Sequence, residues 1–294
     1  MVVVGAGYIG LEMAEAFVRR GAKVALVTQS RQVMPTLDDD VAGELTQAIP
    51  GLGIDVRLEQ VVQGFEPGAV LTSGGTLPAD LVILGIGVAP NAQLAEAAGI
   101  ELGARGAIRV DRRQRTSHPA VWSAGDCCTS RHLVSGQEVH VALGTVANKQ
   151  ARVAGTNLGG GYATFAGVLG TAVTKVCQLE VGRTGLNERE AAAAGFEHVA
   201  VTIDSTTIAG YLPGASRLRV KVVAERRSGR LLGAQIVGHG AGSAKRIDVV
   251  ATALTAGMTC EQVAELDLAY APPFSPLWDP VAIAARKGWE AATA

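Results

Sequence analysis

The chain has 294 residues, enough for about two domains and a sizeable core. Apolar residues at 48% against 18% charged exclude a disordered or nucleic-acid-wrapping chain, and a net charge of −1 gives no general attraction to nucleic acid or an anionic membrane. No apolar run reaches the ~18 residues of a membrane span, and the start lacks a basic region and cleavage site, so neither a membrane protein nor a signal peptide is expected and the cytoplasm is the expected location.

The first predicted strand, Val2-Val3-Val4, runs straight into Gly5-Ala6-Gly7-Tyr8-Ile9-Gly10. A Gly-x-Gly-x-x-Gly between a strand and a helix is a dinucleotide-binding fingerprint. Gly5 allows the tight turn, Gly7 lets the backbone approach a pyrophosphate, and Gly10 lets the helix pack on the strand, with the helix N-terminus facing the phosphates. An amphipathic helix over residues 11–20 and a second strand over 23–27 complete the unit. That strand ends in Thr28-Gln29-Ser30-Arg31. A carboxylate there would accept from the adenosine ribose 2′-OH and favour NADH; none is present, and Arg31 suits a 2′-phosphate, so NADPH or dual use is expected. Glu12, early on the fingerprint helix, reads as a nucleotide-site acid by its resemblance to dinucleotide-binding helices, or else as an acid favoured by the helix dipole.

An acidic first turn predicts a helix over residues 38–49, and residues 70–76 read as a hairpin. The run Leu81-Val82-Ile83-Leu84 is expected to be a strand buried on both faces. It ends in Gly85-Ile86-Gly87-Val88-Ala89-Pro90-Asn91, a Gly-rich turn with Asn91 as the cap of the next helix, and ligands of open α/β sheets bind beyond such strand ends. Residues 116–126, Thr-Ser-His-Pro-Ala-Val-Trp-Ser-Ala-Gly-Asp, read as a turn, a short strand and an acid, Asp126, at its end. A helix follows over 142–158 and stops at Gly159-Gly160-Gly161. Beyond residue 165 strand-like runs at 199–203, 218–224 and 231–237 surround a turn at 226–229. Residues 191–194 read as part of a helix, and helices follow near 243–256 and 279–289, an α+β arrangement.

The four cysteines form no Cys-x-x-Cys, so reduced thiols are expected rather than a disulfide framework. Cys127 and Cys128 read as small residues tolerated in a turn, Cys177 as part of a strand over 174–177, and Cys260 as a helix start. The five histidines show no metal-ligand spacing, so no metal is expected.

Gly125-Asp126 in its context resembles the second flavin-contacting segment of the pyridine nucleotide-disulfide oxidoreductases, and the run from Ala269-Tyr270-Ala271-Pro272-Pro273-Phe274 to Trp278-Asp279-Pro280 resembles the tail of their single-cysteine branch, the coenzyme A disulfide reductases and NADH oxidases. The His-Pro-Thr-Glu motif of the glutathione reductase type is absent. The resemblance implies an α/β fold with a Rossmann-type NAD(P) domain over 1–103, a partial FAD domain over 104–160 and an α+β dimerisation domain over 165–294. It implies FAD and NADP or NAD as cofactors, a homodimer, and reduction of a small-molecule disulfide, thiol or persulfide such as coenzyme A disulfide. NADH oxidase activity, or a non-catalytic NAD(P)-binding, dimerising fragment, are the alternatives. Asp126 would hydrogen-bond the flavin ribityl chain, and Gly87 would lie near the nicotinamide. Tyr270 and Tyr211 would face flavin and thiol or else anchor the dimer interface; Asn148 would touch substrate or else be a solvated helix residue. The family's catalytic cysteine has no counterpart among these residues. An N-terminal FAD half is expected to be missing, through a truncation, a gene-start error or residence on a separate polypeptide.

Overall fold

A computed structural model describes residues 1–240 and 242–294. They form two compact units: Met1–Gly87 together with Thr171–Ala294, and Val88–Gly170.

In the first unit, β1 (Val2–Val4) leads into α1 (Tyr8–Val18), and β2 (Val24–Val27) leads to α2 (Asp39–Ala48). A 3-10 turn over Ile49–Leu52 precedes β3 (Ile54–Arg57). An antiparallel sheet follows of β4 (Val62–Glu66), β5 (Ala69–Thr72) and β6 (Gly75–Pro78), and then β7 (Val82–Leu84). The expected hairpin is β5–β6, with Ala69 opposite Pro78 and Thr72 opposite Gly75. Strands β3-β2-β1-β7 make a parallel sheet in which Val4 pairs with Val27 on one side and Leu84 on the other. β-branched side chains at every position of β1 suit a strand enclosed on both faces, and all three are buried.

β7 departs from the expectation of a strand buried on both faces. It is the edge of its sheet, and Leu84 is 57% exposed. Its apolar run gave the pattern of an enclosed strand, but a continuous apolar run does not fix position within a sheet.

The second unit holds α3 (Gln93–Ala97), the short pair β8 (Ser130–Arg131) and β9 (Glu138–Val139), and α4 (Gly144–Leu158). The N-cap of α3 is Ala92, and Asn91 does not cap it. Residues 116–126 contain no strand, only an isolated bridge of Trp122 with Arg115. α4 buries Val146, Gln150, Val153, Ala154 and Asn157, one stripe at helical spacing.

The chain then returns to the first unit with β10 (Ala172–Val176), β11 (Leu179–Gly185), α5 (Glu188–Ala193), β12 (His198–Thr206), β13 (Arg217–Glu225) and β14 (Leu231–His239). These strands form one antiparallel sheet in the order β10-β11-β14-β13-β12. α6 (Ile247–Thr255), α7 (Cys260–Ala264) and α8 (Pro280–Thr293) complete it. Asp279 accepts the Val281 amide at 2.8 Å, and Pro280 fits the first helical position, which fixes where α8 starts. Cys177 is not in a strand. It stands in the β10–β11 turn with φ 53°, a conformation the strand pattern around it conceals.

The parallel four-stranded sheet and the five-stranded antiparallel sheet of the first unit share one core. Leu11, Leu26, Leu45 and Ile49 pack in the same cluster as Val176, Val181 and Val237. A buried polar set crosses it. Lys221 Nζ lies 2.6 Å from Asp40 Oδ1, 2.5 Å from Glu188 Oε1 and 3.3 Å from Asp38 Oδ2. Gln235 Nε2 donates to Asp38 at 2.6 Å, and Asp38 in turn accepts the Glu188 amide at the start of α5 at 3.1 Å.

Candidate functional site

The fingerprint folds as its spacing requires. Gly5 has φ 102°, and a Cβ there would lie 2.2 Å from the Gly85 carbonyl oxygen. A Cβ on Gly10 would lie 1.8 Å from the Gly5 carbonyl oxygen. Both glycines are therefore demanded by backbone packing. Gly7 differs: nothing lies within 4 Å of its would-be Cβ. Gly7 is the N-cap of α1, with no side chain capping the first helical amides. Open space and the positive end of an uncapped helix of 11 residues form a cradle of the kind that can hold an anion.

Ile9 is exposed beside this cradle. The Tyr8 side chain goes the other way: its ring joins the core, and its hydroxyl is buried without a well-formed hydrogen bond. Burial raises the Tyr8 phenol, with the nearby Arg183 guanidinium opposing. Only the Tyr8 backbone is at the helix start. Glu12 is also turned from the cradle, its carboxylate accepting from Thr174 Oγ1 at 2.8 Å.

The strand-end residues lie next to the fingerprint. Gly5 N donates to Val27 O at 2.8 Å, and Met34 N donates to Ala6 O at 2.8 Å, so the loop over 28–34 begins and ends against it. Thr28 is buried, and its Oγ1 accepts from Ser30 N at 3.2 Å. Gln29 and Arg31 are exposed, and Arg31 forms an ion pair with Asp39. Gly87, φ 96°, lies beyond the end of β7 with open space around its would-be Cβ.

In the second unit, Gly125 takes φ 89° and Asp126 is exposed, its carboxylate without a hydrogen-bond partner among the described residues. The segment is held from behind. Gln150, fully buried on α4, accepts from Gly125 N at 2.9 Å and donates to Ser130 Oγ at 2.9 Å and Thr129 O at 3.2 Å. His140 Nε2 lies 2.7 Å from the Asp126 carbonyl oxygen. Gln150 was missed from sequence, where Asn148 drew attention; a polar residue inside the apolar stripe of α4 was the available signal. Asn148 itself is exposed and donates to Gly144 O at 2.8 Å. These residues fit one side of a flavin: a free acceptor on a braced turn beside a helix start.

Three of the four thiols, Cys128, Cys177 and Cys260, are raised by burial. Burial pushes Cys128 and Cys260 each up to about 12. Cys127 Sγ lies 3.4 Å from Ser123 Oγ. Among the described residues no group of three or more His, Cys, Asp and Glu side chains could hold a metal ion, and no helix is long and apolar enough to cross a membrane.

Tyr211 and Tyr270 are brought together. Desolvation, followed by the neighbouring Tyr211 hydroxyl, raises the Tyr270 phenol. Their loops are tied by Ala209 N donating to Pro272 O at 3.0 Å and by Arg246, whose Nη2 lies 2.8 Å from both Thr207 O and Phe274 O.

Residues 1–151 match the model of the pyridine nucleotide-disulphide oxidoreductase family, and residues 171–280 match that family's dimerisation domain. The chain belongs to the pyridine nucleotide-disulphide oxidoreductases. It is 40% identical over 290 residues to the NAD(P)H sulfur oxidoreductase (CoA-dependent) of Pyrococcus furiosus, covering 97% of this chain and 65% of that protein. It is 32% identical to the coenzyme A disulfide reductase of Staphylococcus haemolyticus, over 93% of this chain and 62% of that one. A solved NAD-dependent persulfide reductase from A. fulgidus superposes with a TM-score of 0.93 at 41% identity, over 97% of this chain and 54% of that one. The chain thus spans less than two thirds of the length of these relatives. Its fold is the α/β fold of this family, with a Rossmann-type parallel sheet and a dimerisation domain, and the family uses FAD and NAD(P)H.

Proposed function

We propose that this chain carries the nicotinamide-nucleotide site and dimer interface of an FAD-dependent NAD(P)H oxidoreductase that reduces a small-molecule disulfide or persulfide of the coenzyme A type. The open cradle over Gly7 at the start of α1 is the observation that carries this reading.

The α1 amides and dipole hold the pyrophosphate, and Gly7 leaves room for it. Gln29 and Arg31 meet the adenosine ribose, and with no carboxylate at the strand end NADPH binds at least as well as NADH. Asp126 orients the flavin by accepting from its ribityl chain, while Gln150 and His140 fix the segment that presents it. When bound, the cofactors supply hydride transfer from nicotinamide to flavin and onward electron transfer to sulfur. The sulfur chemistry falls to a cysteine other than Cys128, Cys177 and Cys260, whose thiols burial raises. Tyr270 and Tyr211 serve the thiol end of the site. The free state of all four cysteines agrees with a reducing, cytoplasmic setting.

Calorimetric titration of NADH and NADPH into the chain and into Gly7→Val tests the nucleotide site. Both nucleotides should bind the wild type, and the valine should abolish binding without lowering the melting temperature. No binding by folded wild type would overturn the reading. Adding a flavin-binding polypeptide and comparing coenzyme A disulfide, a persulfide and oxygen as acceptors tests the substrate; turnover with oxygen alone would favour an NADH oxidase.

A further inference from the structure

The loop after β2 is fixed along its backbone. Thr28 N donates to Arg57 O at 3.0 Å, Glu59 N to Ser30 O at 3.1 Å, and Met34 N to Ala6 O at 2.8 Å. Gln32 Nε2 adds a bond to Leu37 O at 3.1 Å. On this loop the Arg31 side chain is exposed, and its ion pair is with Asp39, in the first turn of α2. The three consecutive aspartates there are not equivalent. Asp38 is held by Gln235 and the Glu188 amide, and Asp40 by Lys221 and Thr202 at 2.6 and 2.7 Å. Asp39 alone of the three is spent on Arg31. Both members of the pair line a cleft of about 510 Å³ that also takes in Arg189 and Lys221.

We infer that Asp39 sets the balance between NADPH and NADH by competing with the ribose 2′-phosphate for Arg31. The inference rests on the nucleotide reading above. With a neutral 2′-OH nearby, Arg31 keeps its carboxylate partner and NADH neither gains nor loses. A 2′-phosphate offers Arg31 a dianion and a bidentate geometry, and draws the guanidinium off the helix start. An exposed pair gives way readily, because solvent screens it. Asp39 then remains as a like charge close to the phosphate, so it weakens NADPH twice: by holding Arg31 and by repelling its replacement.

The test is calorimetric titration of NADPH and NADH into wild type, Asp39→Asn, Arg31→Gln and the double variant. Asparagine keeps the size and polarity of an exposed helix-start residue, and Asp39→Ser serves as a second variant if it folds poorly. Removing the carboxylate should tighten NADPH about five- to tenfold, and more at low salt, while NADH stays within about twofold. In the Arg31→Gln background most of that gain should vanish. An equal shift for both nucleotides, an unmoved NADPH affinity, or a gain that persists without Arg31 overturns the inference. Loss of both nucleotides from wild type would remove the nucleotide site and this inference together. Binding of both with a ratio that Asp39→Asn leaves unmoved would sink this inference alone.

Discussion

Gly7 and Gly10 stand three residues apart in one motif yet answer to different forces. Gly10 is fixed by a backbone carbonyl that a Cβ would meet at 1.8 Å, so strand and helix must separate to admit any side chain. Gly10→Ala should cost about 3 kcal/mol, at the upper end of overpacking penalties, and should lower the melting temperature in a calorimetric scan. Gly7→Ala should melt within about 0.5 kcal/mol of wild type, because its methyl enters open space. If the two variants melt alike, the division between a packing glycine and a ligand glycine is wrong. The motif announced three glycines, and the backbone packs closely at Gly5 and Gly10 and leaves open space at Gly7. Thr28 was less legible. The missing carboxylate at the strand end could be read directly, but the burial of Thr28 and its bond to Ser30 N could not. A carboxylate meant to favour NADH therefore belongs at exposed Gln29, since at position 28 it would be buried without a partner.

At the scale of elements, α2, α5, β13 and β14 meet through Lys221, whose side chain is 4% exposed among three carboxylates. Burial opposes the ammonium, but hydrogen bonds to Asp40 and Glu188 and the charge of Asp38 outweigh it and raise Lys221 above the ordinary 10.5. For a raised lysine, the stabilisation is fully present below that ordinary value and is lost as pH climbs through the higher folded one. Asp40 shifts the other way. Burial alone would raise it, yet the bonds from Lys221 and Thr202 hold it below 3.8, so its share is present above 3.8 and fades as pH falls through the lower folded value. Stability should therefore be flat across neutral pH and fall on both flanks. Lys221→Met should cost about 3 kcal/mol at pH 7, because it takes the shared cation from buried Asp38 and from half-exposed Asp40 and Glu188, and should flatten the alkaline flank in urea titrations. A neutral or stabilising methionine would mean that desolvation outweighs attraction here. None of this was visible as a site in the sequence. Lys221 and Gln235 sit inside apolar strand runs, and a polar residue in such a run signals burial without naming its partners, which lie 181 and 197 positions away in the chain. Most strand runs and helix starts are local and were legible to within a few residues, the strand expected within 116–126 and the Asn91 cap excepted. The edge position of β7 and the turn at Cys177 depend on long-range pairing and on one backbone angle, and were not.

For the whole molecule, the open question of assembly centres on one surface of the first unit. Tyr211, Phe274, Leu277 and Trp278 are all more than half exposed, and Tyr270 is nearly so. They fall on two loops that Arg246 and the Ala209–Pro272 bond hold together, within or directly beside the segment matched by the dimerisation domain. Scattered exposed apolar residues are ordinary, but aromatic side chains fixed on braced loops are what interface centres use, since they bring large area at little cost in side-chain entropy. A symmetric pair would place each such patch against its own copy or against a complementary face and bury about 800 Å² or more per partner. The chain should run as a dimer in light scattering at micromolar concentration. Trp278→Asp, at an exposed ring with Arg286 5.7 Å from its centre, should shift it to monomer without unfolding, because a carboxylate there is harmless in water and costly in a dry interface. Tyr211→Phe, which keeps the ring and removes the hydroxyl beside Tyr270, should leave the dimer intact. A wild-type monomer, or a Trp278→Asp variant that remains dimeric, would move the interface away from these loops and leave the two tyrosines to be explained by ligand contact alone.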